Sequence, residues 1–184
     1  MKKRKFNNWG EAIFWAFANL NMFVMARRCG FQEYNKFCFI FREKAFKAYK
    51  LEQWNIGNLL VINRSKLIFG SDFCCYCGYE FKNISEICFD HVLPKSKGGF
   101  DSSDNLIACC KKCNSSKGTK DLMEWYIKKF KVFPLPYLYS LYLKLVYRYS
   151  KENDLLDKHN FDLEKLDLPF NPVSILLCSN FLKL

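Results

Sequence analysis

Four cysteines at paired spacing and one aspartate–histidine dipeptide carry the chemistry that can be read in this chain. Cys74-Cys75-Tyr76-Cys77-Gly78 and Cys110-Lys111-Lys112-Cys113 are two Cys-x-x-Cys pairs. That spacing lets each pair form a tight knuckle, and four thiolates complete a tetrahedral zinc site. On a helix, the i, i+3 separation of Cys110 and Cys113 puts both sulfurs on one face. A closed four-sulfur site leaves no open coordination position, so this metal would staple the fold and take no part in catalysis. Its contribution to folding can be on the order of 10 kcal/mol. Cys75 and Cys109 flank the pairs, and only the x-x spacing selects Cys74 and Cys110 over them.

Between the knuckles, Ile84 to Val92 reads as a strand running into Asp90-His91. Pro94 ends it, and Gly98-Gly99 supplies the turn of a wide hairpin. Asp101 to Leu106 returns as a second strand, leading into a helix that begins near Cys110. This β-β-α unit would bring Asp90, His91 and Asn114 together, with a structural Asn105 alongside. In isolation an Asp-His dipeptide is most simply a hydrogen-bonded strand end. Its setting between two knuckles, with Pro94, the glycine turn, Asn105 and Asn114, points instead to chemistry. An imidazole with an unperturbed pKa of about 6.5 suits proton abstraction near neutral pH. The chain has only two histidines, and His159 sits in the polar Asp157-Lys158-His159-Asn160 stretch, a surface position. An imidazole base in this protein is therefore His91.

The strings DHVLPKSKGG, NL and CKKCNSSKG, spread over roughly residues 73–120, resemble the HNH endonuclease family in the zinc-stapled form of its ββα-metal fold. The resemblance implies that His91 is the general base and that Asp90 and Asn114 hold a single catalytic divalent cation. It assigns Asn105 to fixing the loop and orienting the histidine. Asn114 stands where the family often has His, which weakens nitrogen ligation and favours Mg²⁺ or Mn²⁺. Implied products are a 5′-phosphate and a 3′-hydroxyl. The chemistry is coherent: phosphodiester hydrolysis needs a deprotonated water and charge stabilisation on the phosphorane and the departing oxygen, the latter a Lewis-acid role.

The elements that must position these residues are helical. Trp9 to about Arg28 reads as one helix stopped by Gly30, and Tyr34 to Trp54 as a second, with Phe37, Ile40 and Phe41 recurring at helical spacing. Leu59-Leu60-Val61-Ile62 and Lys66-Leu67-Ile68-Phe69 are short apolar runs of undecided type. Beyond the motif, Asp121 to Phe133 and Tyr137 to Tyr149 read as helices, interrupted by Pro134 and Pro136. The expected class is α+β: a small ββα-metal core with a four-cysteine zinc site, flanked by N- and C-terminal helices. The expected division is a basic helical region at 1–70, the nuclease core at 71–120 and a helical extension at 121–184.

Net charge is +11, and the excess is uneven. Residues 1–70 hold 13 Lys/Arg against 4 Asp/Glu, residues 71–120 hold 7 against 6, and residues 121–184 hold 9 against 8. The basic N-terminal third (Lys2 to Lys5, Arg27, Arg28, Arg42, Lys44 and Lys47) therefore suits the backbone of a nucleic acid, with double-stranded DNA the expected partner. Around the site, Lys95, Lys97, Lys111, Lys112, Lys117 and Lys120 form an expected rim, Lys97 and Lys117 being chosen as phosphate contacts. The apolar run Ala12 to Ala26 contains Asn19 and Asn21 and falls short of the roughly 20 residues a spanning helix needs, so no membrane insertion and no secretion are expected. The six cysteines outside the pairs read as buried free thiols in a reducing compartment. No small-molecule cofactor is expected, and oligomeric state is not encoded in any recognisable pattern. The Lys/Asn/Phe-rich composition fits an AT-rich organelle, phage or viral genome and an intron-encoded homing enzyme. The competing function is a non-catalytic zinc-dependent nucleic-acid-binding module, which would need a broken catalytic set.

Overall fold

The computed structural model describes residues 4–54, 72–159, 163 and 165–177; the apolar runs at 59–62 and 66–69, Lys2, Lys3 and Cys178 lie outside these. The elements run in the order α1 (Trp9–Arg28), α2 (Lys36–Lys50), β1 (Ile87–His91), β2 (Leu106–Cys110), α3 (Lys111–Lys117), α4 (Leu122–Phe130), α5 (Pro136–Glu152) and α6 (Pro172–Leu177). Short 3-10 turns occupy Ile84–Glu86, Lys95–Lys97 and Ser103–Asn105. Two compact units result. One gathers the described residues before 55 with those of 139–166 and 172–177; the other holds 72–138 and 167–171. The region after residue 120 is thus shared: α4 belongs with the cysteine-rich unit, and α5 from Tyr139 onward belongs with α1 and α2.

In the helical unit, α1 starts where Asn8 Oδ1 accepts from the Glu11 amide at 3.0 Å while the Glu11 carboxylate accepts from the Asn7 amide at 3.0 Å, a reciprocal cap. It ends at Gly30, whose φ of 71° is the left-handed stop that favours glycine. Trp9, Ile13, Phe17 and Leu20 of α1 are buried, as are Tyr49 of α2 and Tyr142, Leu143 and Val146 of α5. The Trp9 indole donates to Ser150 Oγ at 2.8 Å, so the largest core residue has no unsatisfied donor. No helix among the described residues is long and apolar enough to cross a membrane.

α2 forms within the stretch expected to be helical. Its core face is Cys38, Ala45, Phe46 and Tyr49, whereas Phe37 and Ile40 are 56% and 45% exposed among Lys36, Lys44 and Lys47. Spacing alone could not choose between two apolar stripes, and the one carrying the small Cys38 and Ala45 is buried. Two arginines stack on aromatic rings beside this face. Arg4 lies over Trp15 at 4.1 Å and Phe46 at 4.6 Å, and Arg42 lies over Trp15 at 4.3 Å, so one indole is flanked by two guanidinium groups. Glu43 pairs with both, at 3.0 Å to Arg4 and 3.4 Å to Arg42. Arg42 is therefore part of the packing and not, as its charge suggested, a free backbone-tracking cation.

The cysteine-rich unit contains the β-β-α order expected. β1 and β2 pair antiparallel from Ile87↔Cys110 to His91↔Leu106. The second strand begins at Leu106, later than the expected Asp101 start, because Ser102 to Asn105 forms a turn closed by Asn105 N–H to Ser102 O at 2.9 Å. The first strand is likewise shorter, with Ile84–Glu86 a 3-10 turn. α3 follows β2 without an intervening loop, and α4 is capped by Asp121, whose Oδ1 accepts from the Glu124 amide at 3.0 Å. Lys131, at φ 58°, ends α4 before the expected Phe133. Pro136 opens α5 one residue before the expected Tyr137 start, since the first helical turn has no use for the missing N–H.

Candidate active site

The sulfurs of Cys74, Cys77, Cys110 and Cys113 all lie within 4.8 Å of one another. Zinc–sulfur bonds of about 2.3 Å in a tetrahedron give sulfur–sulfur edges of about 3.8 Å. Cys77 Sγ and Cys110 Sγ are 3.9 Å apart, so the cluster has the size of a zinc site. Phe73 and Glu80 bridge antiparallel, the Gly78 amide donates to Cys74 O at 2.9 Å, and Gly78 takes φ 72°, which together fold residues 73–80 into the first knuckle. β2 and the first turn of α3 deliver the second pair. Burial pushes the Cys113 thiol up, and burial likewise raises Cys77; a cation at the centre supplies the charge that four thiolates require. Lys129 Nζ lies 3.6 Å from Cys113 Sγ and adds a second positive charge beside the sulfurs. Cys75 and Cys109, the flanking candidates, are buried outside the cluster, so the spacing rule selected the right pairs. Of the remaining thiols, Cys38 is buried, Cys88 half-buried and Cys29 exposed.

Asp90 and His91 close β1. The Asp90 carboxylate is buried, and its Oδ2 accepts from the Tyr76 hydroxyl at 2.5 Å and lies 3.0 Å from Lys117 Nζ. Neither contact uses Oδ1. Lys117 Nζ also donates to His91 O at 2.7 Å, and this lysine is 0% exposed. It was expected on the phosphate-binding rim. It is instead an internal strut from α3 to the end of β1, its charge neutralised by Asp90 as a buried ammonium requires. Lys97 does reach the surface, with Asp167 Oδ1 at 3.7 Å.

The His91 ring is partly exposed, but its Nε2 is buried and faces Asp101 Oδ1 at 3.4 Å without forming a hydrogen bond. Lys95 binds the other Asp101 oxygen at 2.5 Å. The Lys95 contact and then His91 hold the Asp101 carboxyl below its ordinary value, so it is an anion opposite the imidazole.

Asn105 organises the connection from Val92 to Asn105. Its Oδ1 accepts from the Leu93 amide at 2.8 Å, and its Nδ2 donates to Leu93 O at 2.7 Å and Phe100 O at 2.8 Å. The loop wraps so tightly that a Cβ on Gly99 would sit 2.2 Å from Leu93 O, so glycine is required there by close approach. Asn105 thus fixes the loop as the resemblance implied, and it reaches His91 only through the adjoining backbone. Removing its amide takes this partner from the buried Leu93 amide and carbonyl, at about 1–3 kcal/mol each. Asn105→Ala should lower the thermal midpoint of the cysteine-rich unit by several degrees with zinc retained; an unchanged melt followed by circular dichroism would discard this role.

Asn114 sits on α3, three residues before Lys117 and so on the same helix face, the face that meets Asp90 and the His91 carbonyl. Its side chain makes no hydrogen bond to another described residue, leaving an amide oxygen available as a ligand. Asp90 Oδ1 and the Asn114 amide are hard oxygen donors, the type Mg²⁺ and Mn²⁺ take, so the residues present fit such an ion. The residues that spacing did not single out are Tyr76, Lys117 in its buried role, and Asp101. Tyr76 lay in plain view as a large aromatic inside a zinc knuckle, where small polar residues would suffice.

The HNH endonuclease family model matches residues 74–124. Those residues are similar to an HNH domain. The segment of this chain that aligns with the CRISPR-associated endonuclease Cas9 of Corynebacterium diphtheriae is 36% identical over 53 residues, 28% of this chain and 5% of the Cas9 chain. The likeness is therefore confined to a small fraction of that relative. No solved structure matches. The HNH domain accounts for the α+β class, with its two-stranded sheet, its helix α3 and a four-cysteine cluster able to hold zinc.

Proposed function

We propose that this protein is a metal-dependent HNH endonuclease that hydrolyses phosphodiester bonds of double-stranded DNA, cutting or nicking it, with zinc in a structural role. The observation that supports it most is the joining of α3 to the end of β1. Lys117 binds both Asp90 and the His91 backbone, which brings the face carrying Asn114 to the strand end that carries Asp90 and His91. A divalent ion held there by Asp90 and Asn114 would stabilise negative charge on the phosphorane and on the departing 3′ oxygen. The remaining steps belong to the chain. His91 takes the proton of the attacking water; with Nε2 turned to the Asp101 anion, Nδ1 is the nitrogen left to accept it. Asp101 then faces the imidazolium that forms. The complete set of Asp90, His91, Asn105 and Asn114 argues against a non-catalytic binding module. Incubation with supercoiled plasmid and Mg²⁺ or Mn²⁺ should give nicked or linear DNA, and a chelator should prevent it; no cleavage of any DNA or RNA would reject the enzyme in favour of the binding module.

Affinity for the DNA backbone falls to the N-terminal region in this reading. Lys36, Lys44 and Lys47 extend from one face of α2, interleaved with exposed Phe37 and Ile40. Each phosphate contact steepens the dependence of log K on log salt by about 0.9 on duplex DNA. The triple Lys→Gln variant should reduce the slope by about two to three and weaken binding at all sequences alike; an unchanged slope would move the DNA surface elsewhere. A reducing compartment belongs to this reading, because the four clustered cysteines serve as zinc ligands in it. The homing role rests on composition, and cleavage confined to one long target site would distinguish it from non-specific digestion.

A further inference from the structure

The Asp90 carboxylate and the zinc cluster are joined by one side chain. Tyr76 occupies an x position of the first Cys-x-x-Cys, so its backbone is fixed by the cysteines on either side. Its phenol crosses the interior of the unit to Asp90 Oδ2 at 2.5 Å. Every other part of this tyrosine is also held. Its ring meets Trp125 edge-on at 4.8 Å between centroids, and its carbonyl accepts from the Tyr126 hydroxyl at 3.2 Å. The preceding residue ties the knuckle to the sheet, Cys75 N–H donating to Ala108 O at 3.0 Å.

We propose that Tyr76 is a positioning residue that couples the zinc knuckle to the catalytic cation: its hydroxyl and Lys117 together occupy Asp90 Oδ2 and so present Oδ1 to the metal. This rests on the reading of Asp90 as a ligand of the divalent ion. Two donors on one carboxylate oxygen stop the group from rotating about its last bond, and a carboxylate fixed in this way binds an ion without first giving up rotational freedom. Outer partners of a ligating carboxylate typically change metal affinity by about 10- to 100-fold when removed. The plainer alternative is that the Tyr76–Asp90 contact only packs the knuckle against β1.

The test is Mn²⁺ titration followed by electron paramagnetic resonance on the zinc-loaded full chain, comparing wild type with Asp90→Ala, Tyr76→Phe and Tyr126→Phe. Tyr76→Phe keeps the ring and removes only the hydroxyl. Tyr126→Phe loosens the same knuckle from its other side without touching the carboxylate. Coupling through the phenol predicts Mn²⁺ binding about tenfold weaker in Tyr76→Phe. Zinc content and circular dichroism should match wild type, and Tyr126→Phe should bind Mn²⁺ as wild type does. An affinity in Tyr76→Phe within twofold of wild type, or an equal loss in both tyrosine variants, overturns the coupling. Loss of zinc from Tyr76→Phe overturns it too, since the residue would then serve folding. If Asp90→Ala binds Mn²⁺ as well as wild type does, the ligand assignment itself falls, an outcome distinct from failure of the tyrosine arm.

Discussion

Cys110→Ser protein is expected to carry no zinc and to lose the fold of its cysteine-rich unit, while the wild-type chain is expected to carry about one zinc ion. The size of the effect follows from how little else holds the domain. Its sheet has two strands of five residues each, and a two-stranded sheet is marginal in water without further support. A structural zinc contributes on the order of 10 kcal/mol, comparable to the whole stability of an ordinary domain. The adjacent thiol provides the control. Cys109 is buried outside the sulfur cluster, and burial pushes its thiol up, so it stays protonated. Cys109→Ser should keep its zinc. Elemental analysis and a thermal melt decide the matter, and zinc retained by Cys110→Ser with an unaltered melt would dispose of the staple.

His91→Ala is expected to fold, to keep its zinc and to cleave plasmid DNA about 10²- to 10⁴-fold more slowly, the usual contribution of a positioned acid–base group. Folding should survive because the residue's structural contacts run through its backbone. Its carbonyl receives Lys117, and its strand pairing to Leu106 needs no side chain. The imidazole itself makes no formed hydrogen bond, only the long approach of Nε2 to Asp101. A group that contributes so little to stability and keeps a partly exposed ring is well suited to move protons. Equal cleavage by both proteins under the same metal conditions would remove His91 from the mechanism.

The parts of this site that could be read from residues alone were those whose chemistry fixes their spacing. Two thiolates on a knuckle must be about three residues apart, so Cys74, Cys77, Cys110 and Cys113 were recognisable, and the structure gathers their sulfurs. Asn105 was recognisable as a loop-fixing residue, and it binds the loop at three points. Lys117 was misjudged because a lysine in a polar helix normally faces water. Nothing local says that its ammonium meets a buried carboxylate contributed by a strand 27 residues earlier. The buried face of α2 was not legible for a related reason. Two apolar stripes competed, and only the fit against α1 settled which was buried. The start of the second strand was misplaced at Asp101, where a turn closed by Asn105 N–H to Ser102 O stands in place of the sheet ladder.

The direct passage of β2 into α3 has a consequence for how this domain can vary. With no loop between them, the rotation of α3 about its axis is set by the strand, and each further residue turns by about 100°. Cys113 is directed to the sulfurs, and Lys117, four residues on, to Asp90 and the His91 carbonyl. A substitution within 110–117 alters one side chain. A single inserted or deleted residue there would shift the phase of every side chain after it, parting the thiolate from the strut in one step. Length, more than composition, is what this short helix has to conserve.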